Sequence, residues 1–400
     1  MRRVLILSDT ASMQDLYNRS NLNLLIEMDC EIHVGCNFQS GNTTGPGRVK
    51  AFCDELEEAS IIWHQINFII SSDPMEKEPL AGSEIAGIIE EYDFDLIHCL
   101  TPSSLICAGR LAAKKKIPVF FTSFGFPFYD GAPRTSWLRY RQKFKKAVRY
   151  ADVLICTNKE DYERAKKDFN VKHVYRIPGT GLDPYRFRAP TVDRIQMREQ
   201  MEIPQNAVTL ITIAPLTAEQ NHAVILKAID RLRMLELHYI ICGHGPYAEN
   251  LYQLTERLHL EDRVHFTSHR DDIANLLHAC DIFCLPSRRE ELGMHALEAM
   301  EAGLPLVTSN VQIIKDFMED GKTGYMFPPS SVNGFIAGIE ALTEDKGLRK
   351  HIGEYNRFAS EPFYRENAEY VMRQLYQIQL DLHSDSFEDA SEEAADYANV

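Results

Sequence analysis

No stretch of this 400-residue chain is long and apolar enough to span a membrane, and the run at 4–7 is too short for the core of a signal peptide. Both absences point to a cytoplasmic protein. Nine cysteines, an odd number without one Cys-x-x-Cys pair, exclude a disulfide framework and a paired-thiolate zinc site. They read as reduced, buried thiols. No Gly-x-Gly-x-x-Gly follows the first strand, which disfavours an NAD enzyme, and a net charge of −15 argues against a nucleic-acid binder. Residues 381–400 lack Lys and Arg but carry Asp385, Glu388, Asp389, Glu392, Glu393 and Asp396. Such a composition buries too little apolar surface to order itself, so this tail is expected to be disordered.

What is present is an alternation of short apolar runs and amphipathic segments. Strands are expected at 4–8, 31–35, 61–66, 96–100, 119–123 and 153–157. The pattern restarts after the Gly- and Pro-rich stretch 177–183 with strands at 208–214, 238–243, 264–267, 281–285, 306–308 and 324–327. Alternation of this kind predicts an α/β protein with two doubly wound parallel sheets, in which ligands bind beyond the carboxyl ends of the strands.

Residues 286–305, PSRREELGMHALEAMEAGLP, follow a buried run and lead through a loop into a helix. A helix N-terminus presents unpaired N–H groups and positive potential, which suits a diphosphate. Glu290 falls on the loop and Glu298 some two turns into the helix, so the two carboxylates can hold hydroxyls at different places on one elongated ligand. An equally direct reading is an amphipathic helix that buries Leu292, Met294, Leu297 and Met300 and is merely favoured by Glu290 and Glu291.

A second stretch, 134–150, is basic with interleaved aromatics in an otherwise acidic chain. Arg134, Trp137, Arg139, Arg141, Lys143, Lys145 and Lys146 suit an interfacial helix on an anionic membrane. They equally suit a surface helix that packs Trp137, Leu138 and Phe144 inward and solvates its charges.

The segment PSRREELGMHALEAMEAGLPLVTSN resembles the family 4 glycosyltransferases of the GT-B fold, in the bacterial branch that builds capsular or exopolysaccharides. So do Glu319-Asp-Gly-Lys-Thr-Gly-Tyr325, Phe38-Gln-Ser-Gly-Asn-Thr43, His98-Cys99 with Thr101-Pro102, Asn158-Lys-Glu-Asp-Tyr162, Pro178-Gly-Thr-Gly-Leu-Asp183 and Glu261-Asp-Arg-Val-His265.

The resemblance implies two Rossmann-like domains facing a central cleft. Residues 1–183 would take the acceptor and 184–360 the donor; 361–380 would be a helix crossing back to the first domain. It implies a nucleotide-sugar co-substrate, UDP-linked, with no metal or other cofactor, and a lipid-linked saccharide acceptor at the inner face of the cell membrane. Glu290 would meet the donor sugar and Glu298 the ribose, with the backbone at Gly293 and Met294 on the diphosphate.

The chain departs from the family pattern where charge matters. Pro215 and Gln220 stand where the family has basic residues. Phe124 and Pro127 replace histidines, as does Leu100, and Asn18 lies near the place of another. Arg270, Arg288, Arg289 and His244 are the candidates to supply the missing positive charge. The departures also fit a non-catalytic homologue that partners an active transferase.

Overall fold

The computed structural model describes residues 1–69, 75, 78–129, 132, 134–179, 181–233, 236–268, 270–290 and 292–380. The acidic tail and Glu291 lie outside the described residues.

The chain divides into two compact units, Met1–Gly181 with the segment from Arg365 onward, and Leu182–Tyr364. The first break falls two residues before the expected 183/184, because Leu182 donates its N–H to Phe363 O at 2.8 Å and Asp183 caps the helix Pro184–Arg188. Phe363 is itself buried in the core of the second unit, which moves the later break from 360/361 to 364/365.

In the first unit, strands β1 (Arg3–Thr10), β2 (Glu31–Asn37), β3 (Ile62–Gln65), β4 (Leu96–Cys99), β5 (Val119–Ser123), β6 (Val153–Cys156) and β7 (His173–Arg176) form one sheet, ordered 3-2-1-4-5-6-7. In the second, β8 (Val208–Ile213), β9 (Leu237–Cys242), β10 (Val264–Thr267), β11 (Ile282–Leu285), β12 (Leu306–Ser309) and β13 (Gly324–Phe327) are ordered 10-9-8-11-12-13. Both sheets are parallel, and their first six strands follow the same order.

The middle strands are mostly apolar along their length, as parallel strands covered on both faces are. Leu96–Cys99, Val153–Cys156 and Ile282–Leu285 are buried at every position. Each sheet also stacks two histidines at corresponding places. His33 Nδ1 lies 2.9 Å from His64 Nε2, and His238 Nδ1 lies 2.9 Å from His265 Nε2. Burial holds all four below the ordinary histidine value, His64 at about 4, so each pair shares one N–H···N bond between neutral rings.

The helix Arg365–Gln379 belongs to the first unit. Tyr376 is fully buried, stacks on Phe120 and sets its hydroxyl 2.7 Å from His98 Nδ1, while His98 Nε2 lies 2.8 Å from Thr122 Oγ1. Desolvation drives His98 down to about 3, so this motif histidine is a neutral bridge between sheet and helix.

Candidate functional site

Strand order in the second unit reverses between β8 and β11, and a pocket opens beyond their carboxyl ends. It is lined by Ile213, Ala214 and Leu285 at the strand ends, Pro215 and Gln220 from the loop after β8, and Glu290, Gly293, Met294 and His295. The topology therefore brings Glu290 together with both positions at which the family's basic residues are missing.

Two loops are sewn together behind these side chains. Asn221, at φ +56°, donates from Nδ2 to the carbonyls of Pro286 at 3.0 Å and Pro329 at 2.8 Å. Its Oδ1 accepts from Arg288 Nη2 at 3.1 Å, and the Arg288 N–H donates to Glu219 O at 2.7 Å. Next to it the buried Ser287 Oγ lies 2.5 Å from the Gln220 amide oxygen and 3.3 Å from Glu290 Oε2. A serine hydroxyl carries one proton, so both contacts are satisfied together when the Gln220 amide turns its NH2 toward Ser287 and Ser287 donates to Glu290. Ser287 thus links the Gln220 amide to the Glu290 carboxylate. The neighbouring loop after β9 closes against this one: a Cβ on Gly243 would sit 2.1 Å from Ala214 O, so only glycine fits.

The helix Met294–Glu301 starts at Gly293, whose φ of +64° turns the chain and which supplies no capping side chain. Its first-turn N–H groups have no side-chain acceptor at the cap, the arrangement that suits an anion. The far end is fixed by Glu301, fully buried, which accepts from Arg188 Nε at 2.5 Å, Ser360 Oγ at 2.8 Å and the Tyr364 hydroxyl at 2.9 Å. Because the helix begins at Met294, Glu298 stands just over one turn in rather than two, and it is not among the residues lining the pocket, which it meets through His295. Leu292, Leu297 and Met300 are buried as the amphipathic reading expects, while Met294, packed partly against the core, also lines the pocket.

His295 was not singled out from the sequence, although His-x-x-Glu at a helix start places the two side chains on one face. Its Nδ1 lies 2.7 Å from Glu298 Oε2; the imidazole is half exposed and Glu298 largely covered. Desolvation disfavours the imidazolium, but the Glu298 carboxylate, by charge and hydrogen bond, and Glu290, by charge, outweigh it. His295 therefore titrates above its ordinary value, with Arg186 opposing.

None of the four candidate cations is among the described residues lining this pocket. Arg270, beyond β10, is paired at 2.5 Å with Asp272 and does not line the pocket. His244 is exposed, and its carbonyl accepts from Leu216 N–H at 2.9 Å. Arg288 is exposed and tied to Asn221, and Arg289 is half-buried on the same loop. Among the described residues, no Lys or Arg lines the pocket.

In the first unit the loop Ser123-Phe-Gly-Phe-Pro-Phe128 is an aromatic plug. Phe126 and Phe128 are buried against Phe144 and Phe169. Asp161 holds the loop, accepting from Phe126 N–H at 2.8 Å and Asn158 Nδ2 at 2.9 Å. Desolvation raises Asp161 to about 6. At the β1–β4 switch point Asp9 accepts from Thr101 Oγ1 at 2.7 Å and from Ser103 Oγ. Its carboxyl is raised by burial; Thr101 belongs to a motif noted in the sequence, but Asp9 and Ser103 were not singled out.

The helix Arg134–Val148 buries Phe144, Ala147 and Val148. Trp137 packs on Phe128, donates to Tyr129 O at 3.2 Å and lies under Arg164, so it faces inward. Leu138, expected inward, is 81% exposed, because it falls off the stripe formed by 137, 140, 144, 147 and 148. Arg141 pairs with Asp168, whereas Arg134, Arg139, Lys143, Lys145 and Lys146 are exposed.

Two family profiles divide the chain between them: "Glycosyltransferase Family 4" matches residues 23–184 and "Glycosyl transferases group 1" matches 193–358. Among curated relatives, EpsD of Bacillus subtilis (strain 168), named as a glycosyltransferase, is 27% identical over 89% of this chain and 91% of its own. The UDP-Gal:alpha-D-GlcNAc-diphosphoundecaprenol alpha-1,3-galactosyltransferase of Escherichia coli is 26% identical over 65% of this chain and 69% of its own. Among solved structures, HepE of Anabaena in complex with UDP and glucose superposes with a TM-score of 0.75 at 19% identity, covering 96% of this chain and all of that one. Sucrose-phosphate synthase of Thermosynechococcus elongatus gives 0.80 at 17%, with the same coverage. The two profiles and the doubly wound topology of both units agree: the chain belongs to the family 4, or group 1, glycosyltransferases of GT-B fold, a retaining family that draws its sugar from a nucleotide.

Proposed function

We propose that the protein moves a hexose from a UDP-linked donor to a lipid-linked saccharide during surface polysaccharide synthesis, with retention at the anomeric carbon. The observation that carries this reading is the pocket at the β8–β11 switch point, where Glu290, Gly293 and Met294 converge. In it Glu290 accepts from the donor sugar hydroxyls and Glu298 from the ribose, while the first-turn N–H groups after Gly293 face the diphosphate. The C1–O bond to the diphosphate breaks, the acceptor oxygen bonds to C1 on the same face, and the acceptor hydroxyl's proton passes to the departing diphosphate oxygen. The first unit takes the acceptor. The exposed basic residues of Arg134–Val148, with Leu138 among them, rest on the anionic leaflet where a lipid-linked acceptor resides. The Escherichia coli relative, named for a diphosphoundecaprenol-linked acceptor, supports this substrate class.

A second reading draws on the absence of Lys and Arg from the described pocket lining. In it the chain keeps nucleotide binding and serves as partner or regulator of an active transferase. One assay separates the two: labelled UDP-sugars and GDP-sugars are incubated with the protein and membranes supplying lipid-linked saccharides. Sugar transfer with retained anomeric configuration supports the enzyme. Nucleotide binding without transfer or donor hydrolysis favours the partner. Co-sedimentation with phosphatidylglycerol vesicles tests the membrane contact, since each Lys near an anionic surface is worth about 1 kcal/mol. Reversal of Lys143, Lys145 and Lys146 to Glu should release the protein, and unchanged sedimentation would remove that helix from the account.

A further inference from the structure

We infer that His295, protonated, supplies the positive charge facing the donor diphosphate that Pro215 and Gln220 do not. This inference rests on the donor-site reading above and names the residue that completes it. His295 is the one side chain among the described residues lining the pocket that can become a cation, and it stands in the first turn of the helix whose open N–H groups face the same space.

The geometry sets what the ring can do. Its Nδ1 is taken by Glu298 Oε2 at 2.7 Å, which fixes the proton on Nδ1 and leaves Nε2 as the group available to a ligand. A neutral ring presents a bare Nε2, whose lone pair repels phosphate oxygen. A protonated ring presents an N–H that donates to it, and a charge that offsets the oxygen left when the C1–O bond breaks. Glu298 keeps Oε1 for a ribose hydroxyl, so the two duties of that carboxylate do not compete. The charged groups bearing on the ring are Glu298 from its own helix, Glu290 from the preceding loop and Arg186 from the helix Pro184–Arg188; the two carboxylates favour the imidazolium and Arg186 opposes it. Arg186 also donates to Asp271 O at 3.3 Å.

This arrangement makes donor binding and proton binding one event. A nucleotide sugar has no diphosphate proton that titrates near neutral pH, so any proton taken up on binding comes to the protein. Affinity should fall as pH rises through the value of the free ring, and a fraction of a proton should be taken up per ligand above it.

The experiment is calorimetry on the full chain with the tightest binder from a panel of UDP-, GDP- and dTDP-sugars, between about pH 6 and pH 8, in buffers of different ionisation enthalpy. The expected result is buffer-dependent heat showing proton uptake, which His295→Gln abolishes while weakening binding about tenfold at the acid end, the worth of one charge-assisted hydrogen bond. His295→Lys, charged throughout, should bind with no pH dependence. A purely structural role would not move the proton count. Binding by the wild type with no proton uptake, or uptake that persists in His295→Gln, overturns the His295 assignment alone. Silence of the wild type across the whole panel overturns the donor-site reading and this inference with it.

Discussion

Gly293 is where backbone conformation, packing and the site meet, and replacing it with alanine separates three terms. At φ +64° a residue with a Cβ loses roughly 1–2 kcal/mol to the left-handed conformation. The new Cβ would also sit 2.9 Å from Phe317 Cε1 and 3.0 Å from its Cζ. Phe317 is buried and packed edge-on against Phe363, with centroids 5.8 Å apart, so its ring has nowhere to retreat. Forcing it aside adds about 1–3 kcal/mol. The stiffer unfolded chain returns about 0.4–1 kcal/mol, leaving Gly293→Ala destabilised by roughly 1–5 kcal/mol, centred near 3. Gly321 is the control. It has φ +81° and nothing within 4 Å of the place a Cβ would take, so Gly321→Ala should lose only the conformational part, about 1 kcal/mol. Urea unfolding of both variants, followed by fluorescence, gives the difference directly. Phe317→Leu in the Gly293→Ala background should recover about 1 kcal/mol as a coupling term. Equal losses at Gly293 and Gly321, or no coupling to Phe317, would refute the packing argument.

Two further perturbations test the first unit. Asp161 has a folded value of about 6 against an ordinary 3.8, so the folded state holds its proton more tightly and this group alone adds up to roughly 3 kcal/mol of stability between about pH 6 and pH 4, opposed by the buried histidines, which variant and wild type share. Asp161→Asn keeps an acceptor for Phe126 N–H, should be more stable at neutral pH and should lose that pH dependence in thermal unfolding; a parallel pH profile would contradict the assignment. Tyr376→Phe removes the partner of His98 Nδ1 and leaves a buried nitrogen unpaired, at a cost of about 1–3 kcal/mol. Limited proteolysis should then cut the helix Arg365–Gln379 earlier than in the wild type, and unchanged cleavage would mean that the bridge does not hold it.

Central parallel strands were legible because they are short, mostly apolar runs. The edge strand His173–Arg176 was not, because its residues are mostly polar and half-buried. Glu290, Gly293 and Met294 were legible as a loop entering a helix, and the pocket contains all three. The partners of the basic candidates were not legible: Arg270 lies just beyond β10, where Asp272 two residues on takes its charge. The stacked pairs His33–His64 and His238–His265 depend on which strands are neighbours, information that spacing along the chain does not carry. His295 could have been found, since His-x-x-Glu at a helix start is a local pattern, yet it is hidden between the two glutamates that carry the family resemblance.

The central claim is that Glu290 and Glu298 hold opposite parts of one nucleotide sugar. Calorimetric titration of wild type, Glu290→Ala and Glu298→Ala with UDP and with UDP-sugars tests it most directly. Glu290→Ala should weaken UDP-sugar binding by about tenfold or more while leaving UDP nearly unchanged, and Glu298→Ala should weaken both. Equal affinities for UDP and UDP-sugars across all three proteins would contradict it.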